Sequence, residues 1–117
     1  VAAVYYHQSC GGNMVFIQHI INGMAMTTGY LHLASVNVSV GDTVTYNTQI
    51  GTVGGSPASE YWDSCSTGAH LHVQFASGLM MQDYSDLGSF NAYAFDPRYY
   101  VNFPGEGGYY SDRTTRY

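Results

Sequence analysis

The sequence predicts an all-β domain, and three observations carry that prediction. Tyr and Gly are used heavily, 12 and 14 times, beside runs of Val, Thr and Ser, which are the residues of strands and of the turns between them. Residues 67–75, Thr-Gly-Ala-His-Leu-His-Val-Gln-Phe, alternate strictly with the period of two that belongs to a strand. Asn22-Gly23 lies between two apolar runs and is the strongest short-range signal of a hairpin. The chain carries no internal repeat and no long helical pattern.

In order along the chain, residues 1–6 are β-branched and aromatic and read as a strand. Residues 7–13 are a turn cluster. Residues 14–19 are the next strand, and the hairpin at Asn22-Gly23 returns the chain as a strand over 24–33. At the end of that strand, alternation puts Tyr30 and His32 on one face and Leu31 and Leu33 on the other. Residues 36–40 alternate, Gly41-Asp42 is a turn, and 43–46 and 49–53 are short strands. A long loop over 54–67 then precedes the histidine strand; loops of that length in compact domains carry function or need a staple. After Phe75 the period weakens. Spacings of three and four among Met80, Tyr84, Leu87 and Phe90 permit a short helix, and Asp96-Pro97 suits the cap and first position of a helical turn. The division is therefore a β domain over 1–104, with a short, partly helical or irregular C-terminal extension, and a Gly/Tyr-rich tail over 105–117.

Composition narrows the function. With 117 residues the chain forms one domain with a real core. Charged residues are only 9%, against the usual quarter or so. There is no lysine, the three basic residues are Arg98, Arg113 and Arg116, and the first charged side chain is Asp42. A net charge of -5 without a basic patch excludes nucleic acid and anionic membrane surfaces as partners. No apolar run reaches the roughly 20 residues of a membrane span, so no membrane insertion is expected. The chain begins with Val and shows no signal peptide, and it reads as a processed piece of something longer. Cys10 and Cys65 have no metal-knuckle spacing. They read as one disulfide formed in an oxidising compartment, the alternative being two inert thiols.

The chemistry concentrates at residues 70–74. His70, His72 and Gln74 fall on one face of the strand, and Leu71, Val73 and Phe75 on the other, where they can enter a core. Two imidazoles so close can address one metal ion or one reacting group. The plainer reading is a half-buried strand whose polar face holds two histidines. His7 and His19, at a turn and a strand end, read as surface residues.

The motifs Gly12-Asn13-Met14-Val15-Phe16-Ile17-Gln18-His19, Asn22-Gly23, Tyr30-Leu31-His32-Leu33, Val40-Gly41-Asp42-Thr43-Val44, Ile50-Gly51-Thr52-Val53-Gly54 and Thr67-Gly68-Ala69-His70-Leu71-His72 follow the order and spacing of a known family. Over roughly residues 1–76 the chain resembles the LytM/lysostaphin-type zinc metallopeptidases, peptidoglycan endopeptidases built on an open, mainly antiparallel β sheet or half-barrel. The resemblance implies that His72 is a zinc ligand and that His32 and His70 are the two non-ligand catalytic histidines beside the metal-bound water. It implies zinc as cofactor and bacterial cell-wall peptidoglycan as partner. Where the family carries an upstream His-x3-Asp pair of ligands, His7 is followed four positions on by Gly11 and His19 by Gly23. Ala69 stands where the family usually has Pro, and Asn47 where it usually has Gly. One ligand does not hold a catalytic zinc, so zinc is expected of the complete family domain and not of this chain alone.

Two functional readings follow. One is a zinc metalloendopeptidase domain, incomplete as given, that cleaves stem peptides or cross-bridges of peptidoglycan outside the bacterial cell or in its envelope. The other is a non-catalytic surface or filament-forming subunit on the same fold, self-assembling through an exposed sheet edge.

Overall fold

The computed structural model describes residues 1–81, 90 and 92–95. Among the described residues six strands, β1 (Ala3–Gln8), β2 (Gly12–Ile21), β3 (Met24–Val36), β4 (Gly51–Val53), β5 (His72–Ser77) and β6 (Ala94–Phe95), form one sheet. Its order is β1-β2-β3-β5-β6, with β4 also on β3, and every pairing is antiparallel. The sheet is open, with β1 and β6 at its two ends. Among the described residues no helix is long and apolar enough to cross a membrane.

The β2–β3 hairpin is the centre of this sheet. Asn22 and Gly23 both take positive φ, 52° and 77°, the left-handed pair that a two-residue hairpin turn requires. From that turn the register runs without interruption from Ile21↔Met24 to Val15↔Tyr30. The even-numbered side chains of β2, Met14 and Phe16, pack with Ala3, Ala76, Met81 and Phe90 on one face. The odd-numbered Val15 and Ile17 pack with Leu33 and Val38 on the other. Burial of β2 on both faces explains why it reads as a continuous apolar run rather than an alternating one. Gly29 is needed in β3 because a Cβ there would lie 2.8 Å from the Phe16 ring, which is edge-on to Phe90 at a centroid distance of 5.2 Å.

Several expectations are corrected. Residues 36–40 and 43–46 do not form strands beyond Val36. Val38 and Val44 instead pack on the Leu33 face, so the alternation records burial and not pairing. The histidine segment is not one continuous strand: His70 makes an isolated bridge to Gly54, and β5 begins at His72. Leu71 is 43% exposed, and of the expected apolar face only Phe75 is buried. Tyr30 and Leu33 join one hydrophobic cluster and Leu31 the other, contrary to simple alternation. The cause is a bulge. Asn13 and Val15 oppose Leu33 and Tyr30, leaving an extra residue on β3, and His32 takes a left-handed φ of 62°. Residues 94–95, within the stretch where a helix was permitted, are strand. Phe90 and Ala92, in the same stretch, are helical; residues 82–89 and 91, the turn at Asp96-Pro97 and the boundary at 104 lie outside the described residues.

Cys10 and Cys65 are joined in a disulfide, at a separation of 55 residues. It ties the β1–β2 turn to the loop before His70. In the chain-entropy picture a closed loop of about this length contributes about 4 kcal/mol. The double variant C10A/C65A should lose stability of that order in urea unfolding.

His19 is half-buried and not a surface residue, its Nε2 lying 2.8 Å from Thr28 Oγ1. Burial lowers its pKa below the ordinary 6.5. The folded state therefore binds its proton less readily than the unfolded chain. The resulting stability is present above pH 6.5 and is lost as pH falls through the depressed folded value. His19→Gln should flatten the fall in urea midpoint on acidification below that pH, measured against the parent protein.

Candidate active site

Strand β3 is shared by two partners on one edge. Its N-terminal part pairs with β5 as far as Leu31↔His72, and its C-terminal part pairs with β4 from Leu33↔Val53 onward. His32 lies between these two pairings, where β4 and β5 part. The loop that joins them leaves at Gly54 and returns at His70, whose N–H donates to the Gly54 carbonyl at 2.9 Å. This fork brings His32, His70 and His72 together. The His32 ring centroid is 4.5 Å from that of His70 and 5.8 Å from that of His72.

His32 is 5% exposed, and its backbone N–H donates to the Gly11 carbonyl at 2.7 Å. Its Nδ1 is hydrogen-bonded to Oδ2 of Asp63, which is itself 3% exposed. The other oxygen of Asp63 accepts the N–H of Gly11 at 3.2 Å and of Cys65 at 3.3 Å. Gly12 has to be glycine here: its φ is +63° and a Cβ would lie 2.8 Å from Asp63 Oδ2. Asp63 escaped the reading of the sequence. One signal was available, since Asp63 and Glu60 are the only charged residues in the long loop of a chain that otherwise spends charge sparingly, and Asp63 stands two positions from Cys65.

His70 and His72 are exposed. His70 Nδ1 donates to the Gly68 carbonyl at 2.7 Å, and the buried Ser66 hydroxyl lies 3.4 Å from the same nitrogen. His72 Nε2 is 3.2 Å from Gln74 Oε1. His7 is exposed, as expected, and stacks on Trp62 at a centroid distance of 3.9 Å.

A carboxylate and a carbonyl only accept hydrogen bonds, so both His32 and His70 hold a proton on Nδ1 when neutral. Each then presents Nε2 with a free lone pair, the form in which an imidazole takes up a proton. Among the described residues no three His, Cys, Asp or Glu side chains stand together as a metal-holding group. The described residues therefore do not complete a zinc site by themselves.

A sequence profile of peptidase family M23 matches residues 1–84. Among solved structures, LytU is 30% identical, with a TM-score of 0.58 over 84% of this chain and 55% of that one. Lysostaphin, an antimicrobial peptidase from Staphylococcus simulans, is 27% identical, with a TM-score of 0.59 over 85% of this chain and 34% of that one. The catalytic domain of lysostaphin is 26% identical, with a TM-score of 0.56 over 85% and 63%. The chain thus spans about half the length of LytU and a third of lysostaphin. No curated protein sequence matches it significantly.

The fork is closed by a backbone approach that only glycine allows. A Cβ at Gly54 would lie 2.5 Å from Ala34 N and 2.6 Å from the His32 carbonyl. Gly54→Ala should destabilise the protein by about 1–3 kcal/mol, the usual result of overpacking. Gly68→Ala, whose Cβ would meet nothing within 4 Å, should stay within about 0.5 kcal/mol. Urea unfolding of the two variants checks the contrast.

Proposed function

Because the chain belongs to peptidase family M23, we propose that it hydrolyses peptide bonds in the stem peptides or cross-bridges of bacterial peptidoglycan. The observation that carries this reading is the pair His32 and His70, two adjacent imidazoles whose Nδ1 atoms are both tied to acceptors. In this reading the two Nε2 atoms take a proton from the attacking water and return one to the leaving amine, or hydrogen-bond the charge that develops on the carbonyl oxygen. His72, beside them and exposed to solvent, is the zinc ligand. A catalytic zinc takes about three protein ligands, so the others come from outside the described residues. The disulfide suits an extracellular or cell-envelope setting.

The test uses the full-length protein and purified cell wall. His72→Ala should lower zinc content and activity together. His70→Ala and His32→Asn should keep the metal and lower turnover by about 10²–10⁴-fold, the usual contribution of a positioned acid–base group. Asn is chosen at position 32 because it tolerates the left-handed backbone. A zinc-loaded protein that releases no peptide fragments from the wall would sink the hydrolase reading in favour of a non-catalytic surface module.

A further inference from the structure

The structure assigns to Asp63 the role of positioning residue for His32, an assignment that rests on the proposal that His32 handles a proton during catalysis. A carboxylate is costly to bury unless its oxygens are paired. In Asp63 they are: two backbone N–H groups on Oδ1 and the His32 ring on Oδ2. An imidazole without such a partner holds its proton on either nitrogen and turns about its side-chain bonds. Against Asp63 the proton is confined to Nδ1, the ring is held, and Nε2 keeps its lone pair.

The loop that delivers Asp63 is fastened to the segment that delivers His32. The two donors to Oδ1 are Cys65 and Gly11, the latter next to Cys10, so the Cys10–Cys65 bond clamps both donors. Gly11 also accepts the backbone N–H of His32. Ser64 adds a further tie, donating its N–H to the Ser9 carbonyl at 2.7 Å and its hydroxyl to the same oxygen at 2.6 Å. Asp63 touches no reacting atom in this arrangement and acts through His32.

Asp63→Asn separates positioning from mere structure. Its remaining Oδ1 still accepts from Gly11 and Cys65, so the loop keeps its bonds. Its amide now offers a donor to His32 where the parent offers an acceptor, and the imidazole proton moves to Nε2. At the buried Asp of a Ser-His-Asp triad the same exchange leaves the geometry intact and lowers kcat about 10⁴-fold through the wrong tautomer.

Two measurements on the full-length protein decide the matter. Long-range proton–nitrogen spectra of ¹⁵N-histidine-labelled protein at mildly alkaline pH should show His32 protonated on Nδ1 in the parent and on Nε2 in Asp63→Asn. Cleavage of purified peptidoglycan should show kcat lowered by about 10²–10⁴-fold, with KM, zinc content and the urea midpoint close to the parent's. An unchanged His32 tautomer, or a kcat within about threefold of the parent's, overturns the assignment. Should Asp63→Asn fail to fold, the parent spectrum alone decides, and a proton on Nε2 of His32 overturns it. A parent protein that cleaves no cell wall overturns the hydrolase reading instead, and the tautomer then decides whether Asp63 positions His32.

Discussion

The upper end of the sheet is organised to hold one hydrogen bond, that between the Asp63 carboxylate and the His32 ring. Both groups are buried in a chain with few charges, and neither is easily desolvated alone. Leaving either buried group without its hydrogen-bond partner typically costs about 1–3 kcal/mol. The surrounding features follow from that requirement. Gly12 clears space for Oδ2, Gly11 and Cys65 occupy Oδ1, and the disulfide closes the loop on its neighbours. The long loop over 54–67, unusual in so compact a fold, is the length of chain needed to leave the sheet at Gly54, reach His32 from outside and return at His70.

Strain at His32 belongs to the same arrangement. A non-glycine residue in the left-handed region costs of the order of 1–3 kcal/mol and persists only where its surroundings hold it. His32 is held by its N–H on Gly11, by its ring on Asp63 and by pairings of its neighbours with different strands on either side. The bulge turns its side chain out of the alternation of β3, and its ring lies against those of His70 and His72. Backbone geometry and site chemistry are therefore one constraint: a regular β3 would keep the sheet and lose the cluster.

The likeness to LytU and lysostaphin extends over 84–85% of this chain, but over only 55% and 34% of those proteins. The family match over residues 1–84 contains the fork and its histidines. Within it His70 and His72 are exposed, and His32 and His70 have their Nδ1 atoms engaged within the fold. The geometry of this cluster stands on hydrogen bonds and a disulfide within residues 9–72.

Much of this was open to inspection in the sequence. The period of two, the Asn22-Gly23 turn and the β-forming composition determined an antiparallel sheet, because strand alternation and left-handed turns are set by local sterics. The His70-Leu71-His72 spacing marked the site, and composition with cysteine spacing marked the disulfide. Local pattern misled where burial and pairing diverge: residues 37–46 continue the alternation because Val38 and Val44 are packed, although no strand pairs there. It was silent about the bulge at His32, which depends on β3 having two partners, and about Asp63, whose bond to His32 spans 31 residues. A side chain's neighbours along the chain determine its strand and its face. Which carboxylate reaches which imidazole depends on the path of the loop between them, and that path is decided only when the whole sheet, its glycine clearances and its disulfide are in place.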